Sequence, residues 1–371
     1  MRRTLVIGLG VPAVVVILVI GLLLVPAVQT ALVVWTLPEF PDWPKPAVSL
    51  NAEDEGVVYF ATHSPFDLSV ILASQRGVET TGRGHLSFPD GAWPEPHAAM
   101  VILPGSGGIK PGREHAYAGF LNRQGIAAFV LEYYAPRGLS EETNYLIRTG
   151  SVTEIDLVAD AYSALAVLLT HPRIDHQRIG LLGFSYGGMA TRIAMDERVR
   201  SSLAEEAVRF AVHVDVYGPC FQDIGSNPVT GAPLLTLRGT RDASNDLEAC
   251  VRRESRLRQL GSEVTAIVYD GAGHAWENEE TLHFSEDSPY ISGCEWRYDA
   301  EGYPVLDGQR LVGYGPDASR ATRISTRLRL GARLKDCVQY GYWIGRNEPI
   351  RERAFADVAE FLTVHLSSES N

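Results

Sequence analysis

A serine between two glycines is the residue of this chain whose surroundings best suit covalent chemistry. The sequence Gly-Phe-Ser-Tyr-Gly at 183–187 follows the apolar run 179–182 and precedes a segment with helical character. A Gly-x-Ser-x-Gly sequence between a strand and a helix is typical of a sharp turn that exposes the serine oxygen, and glycine leaves room for that turn. The sequence therefore predicts that Ser185 is a nucleophile. A glycine-rich turn without chemistry is the alternative.

An acid and a base follow Ser185 in the order that such a site requires. The apolar run 233–237 leads into a Gly-x-x-Asp turn that ends at Asp242, and the run 264–269 leads into a glycine-rich loop that carries His274. An isolated serine hydroxyl is a weak nucleophile, and a histidine held by a carboxylate activates it. The order serine, acid, histidine is the one that α/β-hydrolases use. We therefore expect Ser185, Asp242 and His274 to form a catalytic triad.

Other aspartates and histidines occupy positions that suit a triad less well. Asp215 lies within or near the end of a strand, Asp246 is placed to cap a helix, and Asp270 lies in the histidine loop itself. His213 lies in the middle of a strand, which is typical of a core residue. The sequence therefore favours Asp242 as the acid.

A second glycine-rich loop is placed to supply backbone donors. Residues 104–108, Pro-Gly-Ser-Gly-Gly, follow the apolar run 98–103. Hydrolysis by a triad needs N–H groups that bind the oxyanion of the tetrahedral intermediate. We expect these donors to be the amides of Tyr186, directly after the nucleophile, and Ser106. A phosphate-binding loop is disfavoured because the Gly-Lys-Ser/Thr ending is missing.

Apolar strands alternate with amphipathic helices over most of the chain. Strands are predicted at 98–103, 126–131, 179–182, 210–216, 233–237 and 264–269. Helices are predicted at 153–169, 187–195, 246–260 and 351–366. This alternation indicates an α/β fold with a mostly parallel sheet between helices, and the serine turn makes it the α/β-hydrolase fold. The domain is expected to span 56–371, with an insertion at about 275–345.

The first 37 residues are expected to form a membrane anchor. Arg2 and Arg3 precede a stretch from Thr4 to Pro38 without a charged side chain, which exceeds the roughly 20 residues that a spanning helix needs. The two arginines indicate a cytoplasmic N-terminus, so the catalytic domain is predicted to face the periplasm or the extracellular space. A cleaved signal peptide is the alternative. The proline-rich residues 38–55 are expected to be a linker.

The overall charge argues against a nucleic-acid partner. The 371 residues carry a formal net charge of −12, whereas binding to phosphates needs a basic surface. The expected partners are a small-molecule substrate and, through the N-terminal segment, a membrane.

The cysteines indicate disulfides if the domain is exported. There are four, Cys220, Cys250, Cys294 and Cys337, without a Cys-x-x-Cys pair, so no zinc or other metal site is predicted. An even number of cysteines in an oxidising compartment favours pairing. Nearness along the chain favours Cys220–Cys250 and Cys294–Cys337. Four reduced, buried thiols are the alternative.

Together these segments resemble the dienelactone hydrolase family of the α/β-hydrolase superfamily, over roughly residues 59–366. Besides the elbow and Asp242, the resemblance lies in Gly-His-Leu-Ser-Phe-Pro at 84–89, Leu-Pro-Gly-Ser-Gly-Gly at 103–108, Glu-Tyr-Tyr-Ala-Pro-Arg-Gly at 132–138 and Tyr-Asp-Gly-Ala-Gly-His-Ala-Trp at 269–276. It implies cleavage of esters or lactones through an acyl-enzyme, without a cofactor. The founding members use cysteine in the elbow, so their narrow lactone specificity does not carry over to Ser185. Arg137 either binds a substrate carboxylate or pairs with an internal acid.

The sequence thus predicts a serine hydrolase of carboxylic esters or lactones. A peptidase or an acyltransferase with the same triad is an alternative, because the triad determines acyl transfer and leaves the acceptor open. A non-catalytic binding protein that keeps the fold is an alternative from another class. The ordered serine, aspartate and histidine argue against it.

Overall fold

The structure is a computed structural model that describes residues 28, 32, 35, 40–294, 296–311, 315–316 and 318–367. The predicted anchor at 1–37 lies almost entirely outside these residues. Within the part that is described, no helix is both long enough and apolar enough to cross a membrane. The anchor therefore stays a prediction.

Residues 40–55, which cover most of the predicted linker, lie against the hydrolase domain. They form no helix. Ala47 forms an isolated bridge to Phe60, and the Trp43 indole donates a hydrogen bond to the Pro136 carbonyl at 3.1 Å. This stretch is therefore attached to the domain surface.

A single large sheet runs through the domain. Its strands are β1 (Gly56–Ser64), β2 (Val78–Ser87), β3 (His97–Leu103), β4 (Ala127–Glu132), β5 (Ile174–Phe184), β6 (His213–Val216), β8 (Leu234–Gly239) and β9 (Val264–Tyr269). They are arranged in the order β1-β2-β4-β3-β5-β6-β8-β9. β2 is antiparallel to β1 and β4, and the other pairs are parallel. The mostly parallel sheet that the sequence predicts is confirmed. In β1 and β2, buried residues alternate with less buried ones. These strands therefore have no continuous apolar run and are not predicted from the sequence.

Helices cover both faces of the sheet. They are α1 (Leu68–Leu72), α2 (Ala116–Arg123), α3 (Tyr145–Ser151), α4 (Glu154–Leu168), α5 (Tyr186–Ile193), α6 (Glu197–Leu203), α7 (Leu247–Gln259), α8 (Arg320–Arg333) and α9 (Glu348–Leu366). Alternate residues of β3 belong to different apolar clusters, Val101 to the one around Leu157 of α4 and Met100 to the one around Phe361 of α9. Because successive side chains of a strand point to opposite faces, the two clusters are the two halves of a three-layer core.

Between β9 and α9 the chain forms a small second assembly, which we call the insertion. Its strands are β10 (His283–Ile291), β11 (Trp296–Tyr298), β12 (Pro304–Leu306), β13 (Gln309–Arg310) and β14 (Val338–Ile344). β10 and β14 pair with each other. β11, β12 and β13 form a sheet with β7 (Gln222–Asp223), which belongs to the connection between β6 and β8. The insertion is therefore joined to the core next to the sheet.

Two disulfides are present, and both predicted pairings are confirmed. Cys220–Cys250 links the connection after β6 to α7. Cys294–Cys337 lies within the insertion, near the ends of β10 and β14 that pair with each other. Each bond therefore closes a loop close to the segments that border the site.

The segments that carry the expected chemistry meet at one edge of the sheet. β3 leads into the loop 104–108, β5 leads directly into Ser185, β8 leads into the turn with Asp242, and β9 leads into the loop with His274. These strands are parallel, so their carboxyl ends lie side by side, where open α/β sheets place their sites.

Candidate active site

Ser185 lies on a strained turn that only glycine neighbours allow. Its backbone has φ 51° and ψ −108°, in the left-handed region that side chains rarely adopt. A Cβ on Gly183 would lie 2.1 Å from the Gly187 carbonyl oxygen, and one on Gly187 would lie 2.3 Å from the Leu103 carbonyl oxygen. Both glycines are therefore required where the turn packs against itself and against β3.

The three predicted triad residues are in hydrogen-bond contact. His274 Nε2 lies 2.9 Å from Ser185 Oγ, and His274 Nδ1 lies 2.6 Å from Asp242 Oδ2. A carboxylate only accepts hydrogen bonds, so Nδ1 donates to Asp242 and Nε2 is left to accept from the serine hydroxyl. This is the arrangement in which an imidazole takes a proton from serine.

Two neighbours that the sequence analysis overlooked hold Asp242 in place. Ser244 donates to Asp242 Oδ1 from its amide at 3.0 Å and from its hydroxyl at 2.5 Å. The Asn245 side-chain amide donates to Asp242 Oδ2 and to the Tyr217 carbonyl. Asp242 is 3 % exposed, so these donors replace water around a buried carboxylate. The position of Asn245 three residues after Asp242 is the signal that was available in the sequence.

The rival aspartates have structural roles. Asp215 is fully buried and receives hydrogen bonds from Arg192, Arg238 and the Gly218 amide. Burial opposes its ionisation, but the two guanidinium groups hold its pKa below the usual value. Asp246 caps α7, and Asp270 accepts a hydrogen bond from the Thr240 hydroxyl.

Asp215 also explains why the chain is tightly packed behind the serine. A Cβ on Gly188, in the first turn of α5, would lie 2.2 Å from Asp215 Oδ1. The ion pair of Asp215 with Arg192 of α5 therefore holds the helix that starts after Ser185 against β6.

The imidazole of His274 is fixed by aromatic rings and by its own backbone. The ring of Tyr217 lies 4.7 Å from it between centroids, and that of Tyr342 lies 5.6 Å from it. The His274 amide donates to the Trp343 carbonyl at 2.7 Å. Tyr342 and Trp343 belong to β14, so the insertion helps to place the base.

The loop 104–108 is held by side chains that bind its carbonyl groups. The hydroxyl of Tyr133 donates to the Gly105 carbonyl at 2.6 Å, and that of Tyr134 donates to the Ser106 carbonyl at 2.9 Å. Arg113 donates to the Gly108 carbonyl at 2.8 Å. In a trans peptide the N–H points away from the carbonyl. Anchoring the Gly105 carbonyl therefore turns the Ser106 amide to the opposite side of the loop.

The two predicted oxyanion donors, Ser106 and Tyr186, border the same cavity as Ser185 and His274. Tyr186 is the first residue of α5, where an amide has no acceptor within the helix. The role of both amides stays a prediction. Tyr133 and Tyr134 belong to a segment that carries the family resemblance, but the sequence predicts no role for either side chain.

Arg137 is not available to a substrate, which corrects one of the two roles that its sequence position left open. Its side chain is 1 % exposed. It donates to both oxygens of Asp160, at 2.7 and 3.1 Å, and to the hydroxyl of Ser64 at 3.0 Å. This buried ion pair joins the segment after β4 to α4. Arg137 therefore has a structural role in the core.

A buried glutamate lies just beyond His274 in the chain. Glu277 accepts hydrogen bonds from Tyr217 at 2.7 Å and from Tyr117 at 3.2 Å. Burial raises its pKa to about 7, although these hydroxyls and the Arg113 charge oppose the rise. The glutamate therefore ties the histidine loop to α2 and to the end of β6.

A cavity of about 960 Å³ opens onto Ser185. The core contributes Ser106, Tyr186 and Met189, and the insertion contributes Trp296 and Tyr342, among other residues. A volume of this size lies at the upper end of the range for sites that hold a drug-sized molecule. The site thus combines a serine in hydrogen-bond contact with a histidine and room for a substantial ligand.

A parallel sheet with a serine elbow, an acid and a histidine at its carboxyl edge defines an α/β-hydrolase. The model of the dienelactone hydrolase family matches residues 83–293, and the chain belongs to that family. It is therefore an enzyme of the class that hydrolyses ester bonds.

Three solved structures show a distant similarity to this chain. One from Klebsiella pneumoniae, named for the same family, is 20% identical, covers 59% of this chain and 88% of its own, and has a TM-score of 0.44. A thermophilic esterase of the planctomycete Thermogutta terrifontis with bound propionate is 17% identical, with 53% and 80% covered and a TM-score of 0.40. The same esterase phosphorylated by paraoxon is 16% identical, with 53% and 79% covered and a TM-score of 0.41. Similarity this distant says nothing about the substrate of this chain. No curated protein matches the sequence.

Proposed function

We propose that the protein is a serine esterase that works through an acyl-enzyme, with Ser185, His274 and Asp242 as its catalytic residues. The observation that carries the proposal is the chain of two hydrogen bonds from Ser185 through His274 to Asp242, at 2.9 and 2.6 Å. The family supports the ester bond as the target, and this contact chain supports Ser185, His274 and Asp242 as the groups that act on it.

The reaction follows from the positions of these atoms. His274 Nε2 takes the hydroxyl proton as Ser185 Oγ attacks the acyl carbon, and Asp242 stabilises the imidazolium that forms. The carbonyl oxygen becomes an oxyanion, which the amides of Ser106 and Tyr186 bind. When the tetrahedral intermediate collapses, the alcohol leaves with the proton from His274. Water then attacks the acyl carbon while His274 takes one of its protons. When the second tetrahedral intermediate collapses, the bond between the acyl carbon and Ser185 Oγ breaks, His274 returns the proton to Oγ, and the acid is released.

Replacing the nucleophile tests this assignment. Ser185→Ala is expected to lower the turnover of p-nitrophenyl acetate by a factor of about 10⁴ or more, because the triad acts as a unit. Labelling by a fluorophosphonate probe at this residue is expected to disappear as well. Rates and labelling are measured on the purified protein.

Ser201→Ala is the matched control. It removes the hydroxyl of an exposed serine in α6 that does not line the cavity, so turnover is expected to stay within about threefold of the parent. Undiminished turnover in Ser185→Ala would show that another residue is the nucleophile.

We also propose that the catalytic domain is exported to an oxidising compartment. Two disulfides support this, because such bonds persist outside the reducing cytosol. The predicted anchor at 1–37 agrees with that location, and membrane attachment remains a proposal from the sequence.

A further inference from the structure

Part of the cavity surface is built by the insertion and not by the hydrolase core. Ile291, Trp296 and Leu334 of the insertion and Phe221 of the connection after β6 all line the cavity that holds Ser185. They also belong to one packed apolar cluster, in which the rings of Phe221 and Trp296 meet edge to face at 5.7 Å. We call these four residues the apolar wall.

The apolar wall offers almost nothing that a polar ligand could bind. Its side chains are hydrocarbon apart from the indole N–H of Trp296. The nearby buried charge of Glu154 is already matched, because the Gln222 amide donates to it at 2.6 Å and Arg327 lies 3.4 Å from it. A ligand that covers the wall therefore gains by removing apolar surface from water, and its own group there must be apolar.

The cavity is larger than a small ester needs. At about 960 Å³ it has room for a drug-sized molecule, and an acetyl group occupies only a small part of that volume. Each additional buried methylene group of a substrate strengthens binding roughly fourfold. A long or bulky apolar group therefore fits in this cavity and gains binding free energy there.

We propose that the apolar wall receives a large apolar group of the substrate, so that the enzyme prefers esters with an apolar chain of about six carbons or more, or with an aromatic ring, over small polar esters and lactones. The inference rests on the proposed function, because it concerns the substrate of the same serine. Either the acyl or the alcohol part of the ester can supply that group, and two substrate series distinguish them.

The first measurement is the specificity of the unmodified protein. kcat/KM is determined for p-nitrophenyl acetate, butyrate and octanoate, which lengthen the acyl part, and for ethyl, butyl and octyl acetate, which lengthen the alcohol part. We expect kcat/KM to rise at least tenfold from the shortest to the longest member of one series. Flat or falling values in both series would overturn the inference.

A pair of variants locates the effect at the wall. Ile291 and Val338 are opposite each other in the β10–β14 pair, and both pack in the same apolar cluster, but only Ile291 lines the cavity. Ile291→Asp is expected to lower kcat/KM for the longest ester at least tenfold while the value for the acetate stays within about twofold. Val338→Asp is expected to keep the preference of the parent.

Thermal unfolding checks that the variants are folded. If Ile291→Asp does not fold, Phe221→Ala is used instead, because Phe221 is only half-buried and its truncation leaves no charge in the core. Equal loss in Ile291→Asp and Val338→Asp, or no loss in a folded wall variant, would contradict the inference.

The outcomes separate this inference from the proposed function. If p-nitrophenyl acetate is hydrolysed in a manner that depends on Ser185 but chain length has no effect, the wall does not select substrates and the esterase assignment stands. If no ester is hydrolysed and Ser185 is not labelled, the proposed function itself is wrong.

Discussion

At the scale of residues, single hydroxyl groups hold the loop 104–108, which is proposed to supply an oxyanion donor through Ser106. Tyr133 donates to the Gly105 carbonyl from a fully buried position, and this contact orients the next amide, that of Ser106. A donor that stabilises the oxyanion must already point at it before the reaction begins. In the proposed mechanism, Tyr133 therefore acts through the backbone that it positions, without touching the reacting atoms.

Tyr133→Phe is expected to lower kcat for p-nitrophenyl acetate by about tenfold with little change in KM, since a misdirected amide weakens the transition state more than the bound ester. Tyr162→Phe is the matched control. It removes a similar buried hydroxyl, which donates to the Ala194 carbonyl at 2.6 Å, away from the site. Both variants are expected to lose roughly 1–3 kcal/mol of stability, and only the first loses turnover. Equal kcat values would contradict the positioning role.

At the scale of elements, the loop that carries His274 is held by contacts to three other parts of the fold: β14, the end of β6 and α2. A carbonyl of β14 accepts a hydrogen bond from the His274 amide. The ring of Tyr217, directly after β6, packs against the imidazole at an interplanar angle of 60°, and Glu277 accepts hydrogen bonds from Tyr117 of α2 and from Tyr217. A loop attached in this way keeps the imidazole within reach of Ser185. The connections from strand to loop place Ser185, Asp242 and His274 at one edge of the sheet, and these non-covalent contacts hold the His274 loop in position.

The free energy of unfolding is expected to depend on pH through Glu277. Its pKa of about 7 in the folded protein lies above the ordinary value of 4.5, so the folded state binds more protons than the unfolded state between these values. Stability therefore falls as pH rises from about 4.5 to about 7, by up to about 3 kcal/mol. Between pH 5 and pH 8, the free energy of unfolding of Glu277→Gln is expected to fall less than that of the parent. Urea unfolding at both pH values measures it.

Glu279→Gln, in an exposed position of the same loop, controls for the loss of one negative charge. It is expected to show the pH dependence of the parent. A parent-like profile in Glu277→Gln would mean that Glu277 does not titrate in this range.

At the scale of the whole molecule, the insertion adds a second set of residues to a cavity that the hydrolase core begins. Its β14 contacts the base, its cluster around Trp296 lines the cavity, and one disulfide closes it. The other disulfide lies beside the acid, because Cys250 Sγ is 3.0 Å from the Asn245 carbonyl. The two bonds therefore support different parts of one site.

Removing each disulfide is expected to have different consequences for activity. The first double variant, Cys294→Ser with Cys337→Ser, opens a loop of 43 residues. The second, Cys220→Ser with Cys250→Ser, opens a loop of 30 residues. Each is expected to lower the free energy of unfolding by roughly 2–4 kcal/mol, measured with denaturant. The first is expected to reduce kcat/KM for octyl or octanoyl esters and leave the labelling of Ser185 by a small fluorophosphonate unchanged. The second is expected to slow that labelling. Identical effects on labelling would argue against this division.

Much of the site could be predicted because its residues follow strands whose patterns are strong. Asp242 follows a buried apolar run and a turn, and it was separable from Asp215 because a triad acid belongs after a strand and not within it. Asn245 and Tyr133 escaped prediction because a polar residue near a turn or strand end has many uses. Arg137 had two possible roles in sequence, and only its burial against Asp160 decided between them.

The sequence by itself determined the fold class, the elbow sequence at Ser185 and the order of the candidate acid and base, because each depends on local patterns or on spacing along one chain. It favoured both disulfide pairs but left reduced thiols open, and the tertiary structure decided between them. The tertiary structure also decided which side chains donate to Asp242, what holds the loop 104–108, and that the insertion lines the cavity. Those contacts join residues that lie on different elements or whose polar atoms have several possible partners. Only the packed fold selects one partner for each, since burial makes an unpaired polar group costly.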